Sequence, residues 1–395
     1  MEYYNIYNHN YIRVAKRQKK YPRTKIEILD HLEFTLGDIS RDVITESDNI
    51  SYIYNQGVQG RFSFSVLDYN KKYFSTDSGT PLLWFGRKVK IYKGLIDEEN
   101  GDIYWWSLGV FIITKVTRRH GILSVEGVDK FGLFTADTGF SLLDSNIKAE
   151  AGRTVGDIIT SLAGRDMGGG RITDPKPPLI DRRVINITNP QNLEFSSGCY
   201  TGDALIGIAN MCKCRIFYDR NGYLRVTDGS LGYLYSTAAQ VWSFDKSTTA
   251  EYINSSLSFD FTKVINRITV TVENSISGKV YTSTAINNEP RSPMSVGRIG
   301  FKTGKPIENI YGYDQSGVDA LADFYLGIKS VLGVRIPLKT VLIPHLCIND
   351  VVMLTDNDYN FDDARLLINE IVIKGSDMTV SLVNLDHLPC HVQLI

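Results

Sequence analysis

From Thr24 to Phe131 the chain offers almost nothing but strands: apolar-rich runs at 25–30, 33–37, 50–55, 61–68, 88–95, 102–117 and 122–129, separated by Gly, Asn and Asp turn residues. The run at 61–67 alternates, with Phe62, Phe64 and Val66 on one face and Arg61, Ser63 and Ser65 on the other. Successive side chains of a strand point to opposite faces, so this pattern means a sheet with one dry and one wet side. Short strands with turn signals between them predict a small, closed or nearly closed antiparallel barrel.

The periodicity changes after about Gly132. Helical spacing at 154–163 and again at 202–212 flanks a loop-rich interval in which Gly168, Gly169 and Gly170 precede Pro175, Pro177 and Pro178. The second helix runs directly into two strands joined at Asn221-Gly222, a strong hairpin signal. Strands return at 250–284, a helix is expected at 317–330 from the spacing of Val318, Leu321, Ala322, Tyr325 and Ile328, and the chain finishes in four more strands. The expected fold class is therefore mainly β with an α+β insertion: two small antiparallel β-barrels flanking a mixed α+β middle region, in a multi-domain chain. The expected division is an N-terminal arm at 1–23, a first barrel at 24–131, an α+β domain at 132–250, a β-rich connecting domain at 251–300, and a second barrel with a C-terminal tail at 301–395.

A chain of 395 residues is long enough for more than one core. Its 43 Lys+Arg against 44 Asp+Glu leave a formal charge of −1, so no overall field exists to hold nucleic acid. The first residues lack an apolar signal region and no later run is long and apolar enough to span a bilayer, which reads as a protein made in the cytosol. Five cysteines are too scattered for a disulfide framework, and Cys212 and Cys214 read as small buried hydrophobes. In the arm, Tyr3, Tyr4, Tyr7 and Tyr11 accompany a basic run from Arg13 to Lys25. Such a segment docks on a neighbouring subunit or an acidic surface, or else is a solvated tail.

Few residues carry a pattern that chemistry would need. Gly327, Lys329 and Ser330 lack phosphate-loop spacing, and the triple glycine lacks that of a dinucleotide site. The stretch from Asp356 to Asp363 begins like a calcium loop, but Phe361 stands where the turn needs Gly and Leu367 where a bidentate Glu belongs, which leaves an acidic hairpin tip. His387, Cys390 and His391 are weak candidates for a metal, with an exposed tail as the default. No nucleophile elbow, zincin motif or Cys–His pair is present, and His345, between Pro344 and Leu346, reads as structural. Paired carboxylates obey no spacing rule, so a carboxylate enzyme stays open on the residues alone. The expectation is no catalysis and no cofactor.

Three passages resemble the baseplate hub, or tail-associated, proteins of tailed bacteriophages and contractile injection systems. The first is the strand series 60–68, 83–94, 108–113 and 123–129, with its apolar-Asp ending. The second is the helix followed by a hairpin carrying Tyr218, Asp219, Gly222, Leu224 and Val226. The third is 264–270, then a helix with Ala320 and Ala322, then Pro337, Pro344 and Asp350 to Val352.

The resemblance implies a structural hub: a homotrimeric ring in which two barrels per subunit give pseudo-sixfold order, joining a tail tube or distal tail protein to a spike or tip. The tape measure protein is a further expected partner, with DNA only in transit through the channel. Such a protein resides in the virion tail or baseplate and assembles in the host cytoplasm. The chain stops soon after the second barrel, without the long extension in which some relatives carry a hydrolase or receptor-binding module. A tail-associated cell-wall hydrolase, or a receptor-binding tail protein, is the alternative. Trp105 and Trp106, adjacent on one strand, are expected to face opposite ways, the outward one being the better interface candidate.

Overall fold

In the computed structural model of the chain, the described residues are 8–75, 80–138, 142–166, 173–189, 192–228, 239–247, 252–260, 262, 264–274, 278–308, 314–330 and 333–384. The chain opens with helix α1 (His9–Ala15), capped by the Asn8 side chain, which accepts from the backbone of Asn10 and Tyr11. Tyr11, Val14 and Ala15 on this helix are buried in the same core as the strands that follow. The expected arm is thus anchored on the chain's own core from residue 9 onwards, because the helix turns one apolar face inwards. The Val14 side chain alone is worth about 1.5–3 kcal/mol when buried.

The seven expected strands of the first half all form: β1 (Pro22–Leu29), β2 (Thr35–Asp38), β3 (Asn49–Ile53), β4 (Gly60–Leu67), β5 (Lys88–Ile96), β6 (Ile103–Arg119) and β7 (Ile122–Asp129). The alternation along β4 is realised, with Phe62, Phe64 and Val66 buried. On β6 the burial is continuous from Trp106 to Ile113, which means that both faces of the sheet are covered there.

The middle of the chain contains β8 (Ile147–Ala149), α2 (Val155–Ala163), β9 (Leu179–Ile180), α3 (Arg182–Ile185), β10 (Leu193–Phe195), α4 (Thr201–Met211) and the hairpin of β11 (Cys214–Tyr218) and β12 (Leu224–Asp228). These pack around a core of their own that includes Ile159, Leu205, Ile208, Ile216 and Val226.

After β13 (Gln240–Asp245), β14 (Tyr252–Ser255) and β15 (Ser258–Asp260) comes a hairpin of β16 (Arg267–Glu273) and β17 (Val280–Ile286), then α5 (Val296–Ile299) and α6 (Gln315–Lys329). Helix α6 lies on the β16–β17 hairpin, burying Val318, Leu321 and Ala322 against Ile268, Val270 and Val272. The hairpin and the helix share one core, so the boundary expected at residue 300 runs through a packed unit. The chain ends in β18 (Gly333–Val341), β19 (Val351–Asp356), β20 (Phe361–Lys374) and β21 (Asp377–Asn384).

The molecule is mainly β, with a large sheet that is antiparallel apart from the parallel β13–β19 pair. The two halves expected as separate barrels are joined in this single 14-stranded sheet. Its path runs β14-β18-β21-β20-β3-β4-β7-β6-β5-β1-β2, with β15 on β18, and β13 attached through β19 to β20. The join is the antiparallel pairing of β20 with β3, from Glu370 opposite Ile53 to Lys374 opposite Asn49. Ile50, Ile371 and Ile373 are buried along it. Lys93 reinforces the seam, pairing with Asp48 at 2.7 Å and donating to the Gly375 carbonyl at 2.8 Å. Among the described residues the path is open, from β14 to β2.

Gly127 shows how tightly this sheet is drawn together. A Cβ there would lie 2.0 Å from the Ile112 carbonyl oxygen and 2.4 Å from the Phe62 ring. Gly127→Ala is expected to destabilise the chain by about 3 kcal/mol, at the upper end of the overpacking range, because backbone rather than a side-chain tip must move. Denaturant unfolding of the two proteins checks this; a shift of under about 0.5 kcal/mol, the scatter of neutral surface changes, would contradict it.

Candidate functional site

The hairpin tip between β11 and β12 is the point where three parts of the chain meet. Asp219 shapes it, its Oδ1 accepting from the backbone of Asn221 at 2.9 Å and of Tyr223 at 3.0 Å. Gly222 sits at φ +75°, and a Cβ on it would come within 2.9 Å of Val110 on β6. Only glycine meets both demands. The tip is wedged between the sheet halves. Ser107 Oγ on β6 donates to the Arg220 carbonyl at 2.8 Å. The Arg220 guanidinium reaches the other way, donating to the carbonyls of Pro344 and Leu346 before β19.

Beneath the tip lies a cluster of buried charges. The Lys130 ammonium is fully buried, bonded to Glu33, to Asp174 at 2.7 Å and to the Gly222 carbonyl at 2.8 Å. It also lies 5.0 Å from the centre of the Tyr218 ring, whose hydroxyl donates to Asp174 at 2.6 Å. Lys88 pairs with Glu33 at 3.0 Å, and Lys176 with Glu33 at 2.6 Å and with the Asn221 carbonyl at 2.7 Å. Burial pushes the Glu33 carboxyl up, but the ammonium groups of Lys130 and Lys88 outweigh it and hold the group down at about 2. Burial, with Lys130 beside it, holds Lys88 down at about 8. Asp129, at the end of β7, accepts from the backbone of Gln59, Gly60 and Phe131, yet its complete burial still raises it to about 6.

The second contact surrounds His345. Its Nδ1 is hydrogen-bonded to the Tyr11 hydroxyl at 2.5 Å, and the rings of Trp106 and Trp242 lie 5.7 and 5.1 Å away. Burial, aided by the charges of Arg220 and Lys20, lowers His345 to about 3, so the imidazole is neutral at physiological pH. This histidine ties the first helix, β6, β13 and the segment before β19 into one core.

The residues singled out in the sequence fall in different places. Trp106 is buried against Tyr11, 5.0 Å between ring centres, while Trp105 is 37% exposed beside Ile103, both packed over Gly94. Tyr11 is enclosed by the chain's own core and presents nothing to a neighbour. Tyr3, Tyr4 and Tyr7, the triple glycine, and His387, Cys390 and His391 lie outside the described residues. Asp356 is buried, capping the turn at Asn357–Tyr359 and accepting from Ser255, so the acidic tip is Asp358, Asp362 and Asp363 only. Among the described residues no three His, Cys, Asp or Glu side chains stand together as a metal site, and no helix is long and apolar enough to cross a membrane. Arg220, Lys130, Glu33 and Asp174 were missed in the sequence. Lys130 and its carboxylate partners lie tens of residues apart, and the Asn221-Gly222 turn was the only local signal.

Lys130→Met is expected to cost about 3–5 kcal/mol, because Asp174 and Glu33 lose the ammonium they share. Circular dichroism of urea-unfolded samples reads this. Glu33, depressed below its ordinary value, contributes stability that is complete above that value and is lost as pH falls towards 2. Glu33→Gln should therefore flatten the fall in stability between about pH 4.5 and 2; an unchanged slope would mean that the pair is not formed.

No family model matches the sequence, and neither does any curated protein. Solved structures do match in fold. The chain is similar to the tail protein from Neisseria meningitidis MC58, with TM-score 0.58 and 13% identity over 94% of this chain and 98% of that one. It is similar to the 43 kDa tail protein of prophage MuSo2 from Shewanella oneidensis, with TM-score 0.59 and 12% identity over 94% of this chain and 100% of that one. A chain of the Francisella PdpA-VgrG complex matches with TM-score 0.52 and 11% identity over 94% of this chain and 53% of that longer one. The resemblance to tail-associated proteins read at 60–129, 218–226 and 264–352 thus holds at the level of the fold, which this chain shares with these two tail proteins over 94% of its length.

Proposed function

We propose that this protein is a structural hub of a phage tail or baseplate, built into the virion tail and assembled in the host cytoplasm. Three copies form a ring, each contributing two curled sheet halves, so that six such units surround a channel for DNA. The ring joins the tail tube or distal tail protein to the central spike or tip, and the tape measure protein ends against it. The chain does this without catalysis. The observation that carries the reading is the whole-length match to two tail proteins, in which neither partner of the comparison has a large unmatched part.

Two features of this chain support it. The sheet passes unbroken from one half to the other through β3 and β20, which suits a component that must hold two halves at fixed spacing around an axis. The charges of the middle unit that reach the sheet are turned inwards, into ion pairs and backbone carbonyls, which suits a unit fixed in place rather than one that opens and closes. Trp105, with Ile103 beside it, is the interface residue on the outer face of β6.

Light scattering behind a sizing column should give three times the chain mass of 44.4 kDa, with a central opening in negative-stain averages. Trp105→Ser should lower that mass at equal concentration while leaving the fold intact. A monomer at every concentration, together with clearing of host cell walls by the purified protein, would replace this reading with that of a tail-associated hydrolase.

A further inference from the structure

A cleft of about 840 Å³ lies between the sheet of the middle unit and the segment that leads into β19. One wall is the outer face of the sheet β11–β12–β9. Its ladders set Phe217, Arg225 and Leu179 side by side, one from each strand. Side chains alternate along a strand, so Ile216, Leu224 and Val226 turn into the core of the middle unit while this row lines the cleft. The other wall is the turn Cys347–Asp350, closed by its own carboxylate, Asp350 Oδ2 accepting from the backbone of Cys347 at 2.7 Å. Arg220 fastens the walls together. It follows Asp219 at the hairpin tip and donates to the carbonyls of Pro344 and Leu346, directly before that turn.

The two walls carry opposite hydrogen-bonding groups. Asn349 is held at φ +70°, a left-handed conformation that asparagine tolerates better than most residues, and its side-chain oxygen is buried with no donor among the described residues. An acceptor kept from water without a donor is a standing cost, which the N–H of a ligand removes. Across the cleft Arg225 is half-exposed and paired through Nε with Asp219 at 3.2 Å, and its terminal nitrogens have no partner among the described residues. Leu179 and Ile185 on the lining are exposed apolar side chains. Donors on one wall, an acceptor on the other and apolar surface besides are the complement of an extended main chain, which offers N–H, C=O and side chains together. A nucleic acid would need several uncommitted cations. Here Arg215 is stacked on Tyr54 at 3.7 Å, Arg220 is spent on carbonyls, and Asp157, Asp181, Asp219 and Asp350 also line the cleft.

We propose that this cleft takes an extended polypeptide segment of a different protein, with a carboxylate side chain on Arg225, a main-chain N–H on the Asn349 oxygen and an apolar side chain over Phe217 and Leu179. Such a segment touches the middle unit and the second sheet half at once, and so clamps one to the other. The inference deepens the assembly reading and rests on it only in expecting a neighbour. Binding is measured on the purified chain whatever its oligomeric mass, so failure of the ring and failure of the cleft are told apart. Full-length protein is titrated into a short fluorescein-labelled peptide of alternating Leu and Asp, with anisotropy as readout. The comparison peptides are a copy with Asn for each Asp and a copy N-methylated along its backbone, and N-acetylaspartate is the small competitor. The parent peptide should bind, more weakly as salt rises, and Arg225→Met should weaken it by at least about tenfold. Asn349→Gly keeps the backbone free of strain and removes the acceptor; it should weaken the parent peptide and leave N-methylation with no further effect. Unchanged far-ultraviolet dichroism confirms that both variants fold. Absence of binding at low salt, equal binding by Arg225→Met, or undiminished sensitivity to N-methylation in Asn349→Gly would overturn the proposal. Competition by N-acetylaspartate as strong as that of unlabelled peptide would overturn it in favour of a small-molecule site, and a lower oligomer mass of Arg225→Met in favour of a second copy of this chain.

Discussion

The Lys130 ammonium is the constraint on which the arrangement of this molecule turns. A charge removed from water costs several kcal/mol unless its surroundings return the lost interactions. Here they come from Glu33 before β2, Asp174 before β9 and the Gly222 carbonyl at the hairpin tip. None of these is near Lys130 in sequence. The site is therefore complete only when the first sheet half and the middle unit sit in one relative position. Apolar packing alone tolerates small slips between surfaces, whereas a desolvated ion with three fixed partners does not.

Arg220 and His345 carry the same logic across to the second half. The guanidinium closes on two backbone carbonyls that no strand ladder uses, and the imidazole stays neutral inside a cage of Tyr11, Trp106 and Trp242. Together with the β3–β20 ladder and the Lys93 pair, these contacts leave the sheet halves little freedom to rotate against each other. The hairpin tip acts as a wedge, and its glycine is the one residue that allows the wedge to be driven close to Val110.

Much of the fold was legible because it is local. The alternation at 61–67, the helical spacing at 154–163, 202–212 and 317–330, and the Asn221-Gly222 turn each state their own structure within a few residues. The first helix was not legible, since Tyr11 and Val14 show their apolar face only once Trp106 and His345 are brought against them. The joining of the two strand sets was equally hidden: nothing in 49–53 or 370–374 names the other as its partner. Trp105 and Trp106 could be read as opposed, but which faced the core depended on strands far away. The charge cluster left no trace in sequence for the same reason, its members being ordinary lysines and carboxylates until folding brings them together.

The pairing of β3 with β20 has a further consequence for how the molecule comes into being. The edge of β3 is completed by a strand encoded more than 300 residues later. At about 5–20 residues per second on the ribosome, that edge stands open for roughly 15–65 s after it is made. During that time the nascent first half presents the unpaired backbone on which strands of other chains can add. In a cell producing many copies at once, the yield of correctly built protein is then set by a race between translation of the last strands and pairing with a neighbour's unfinished chain.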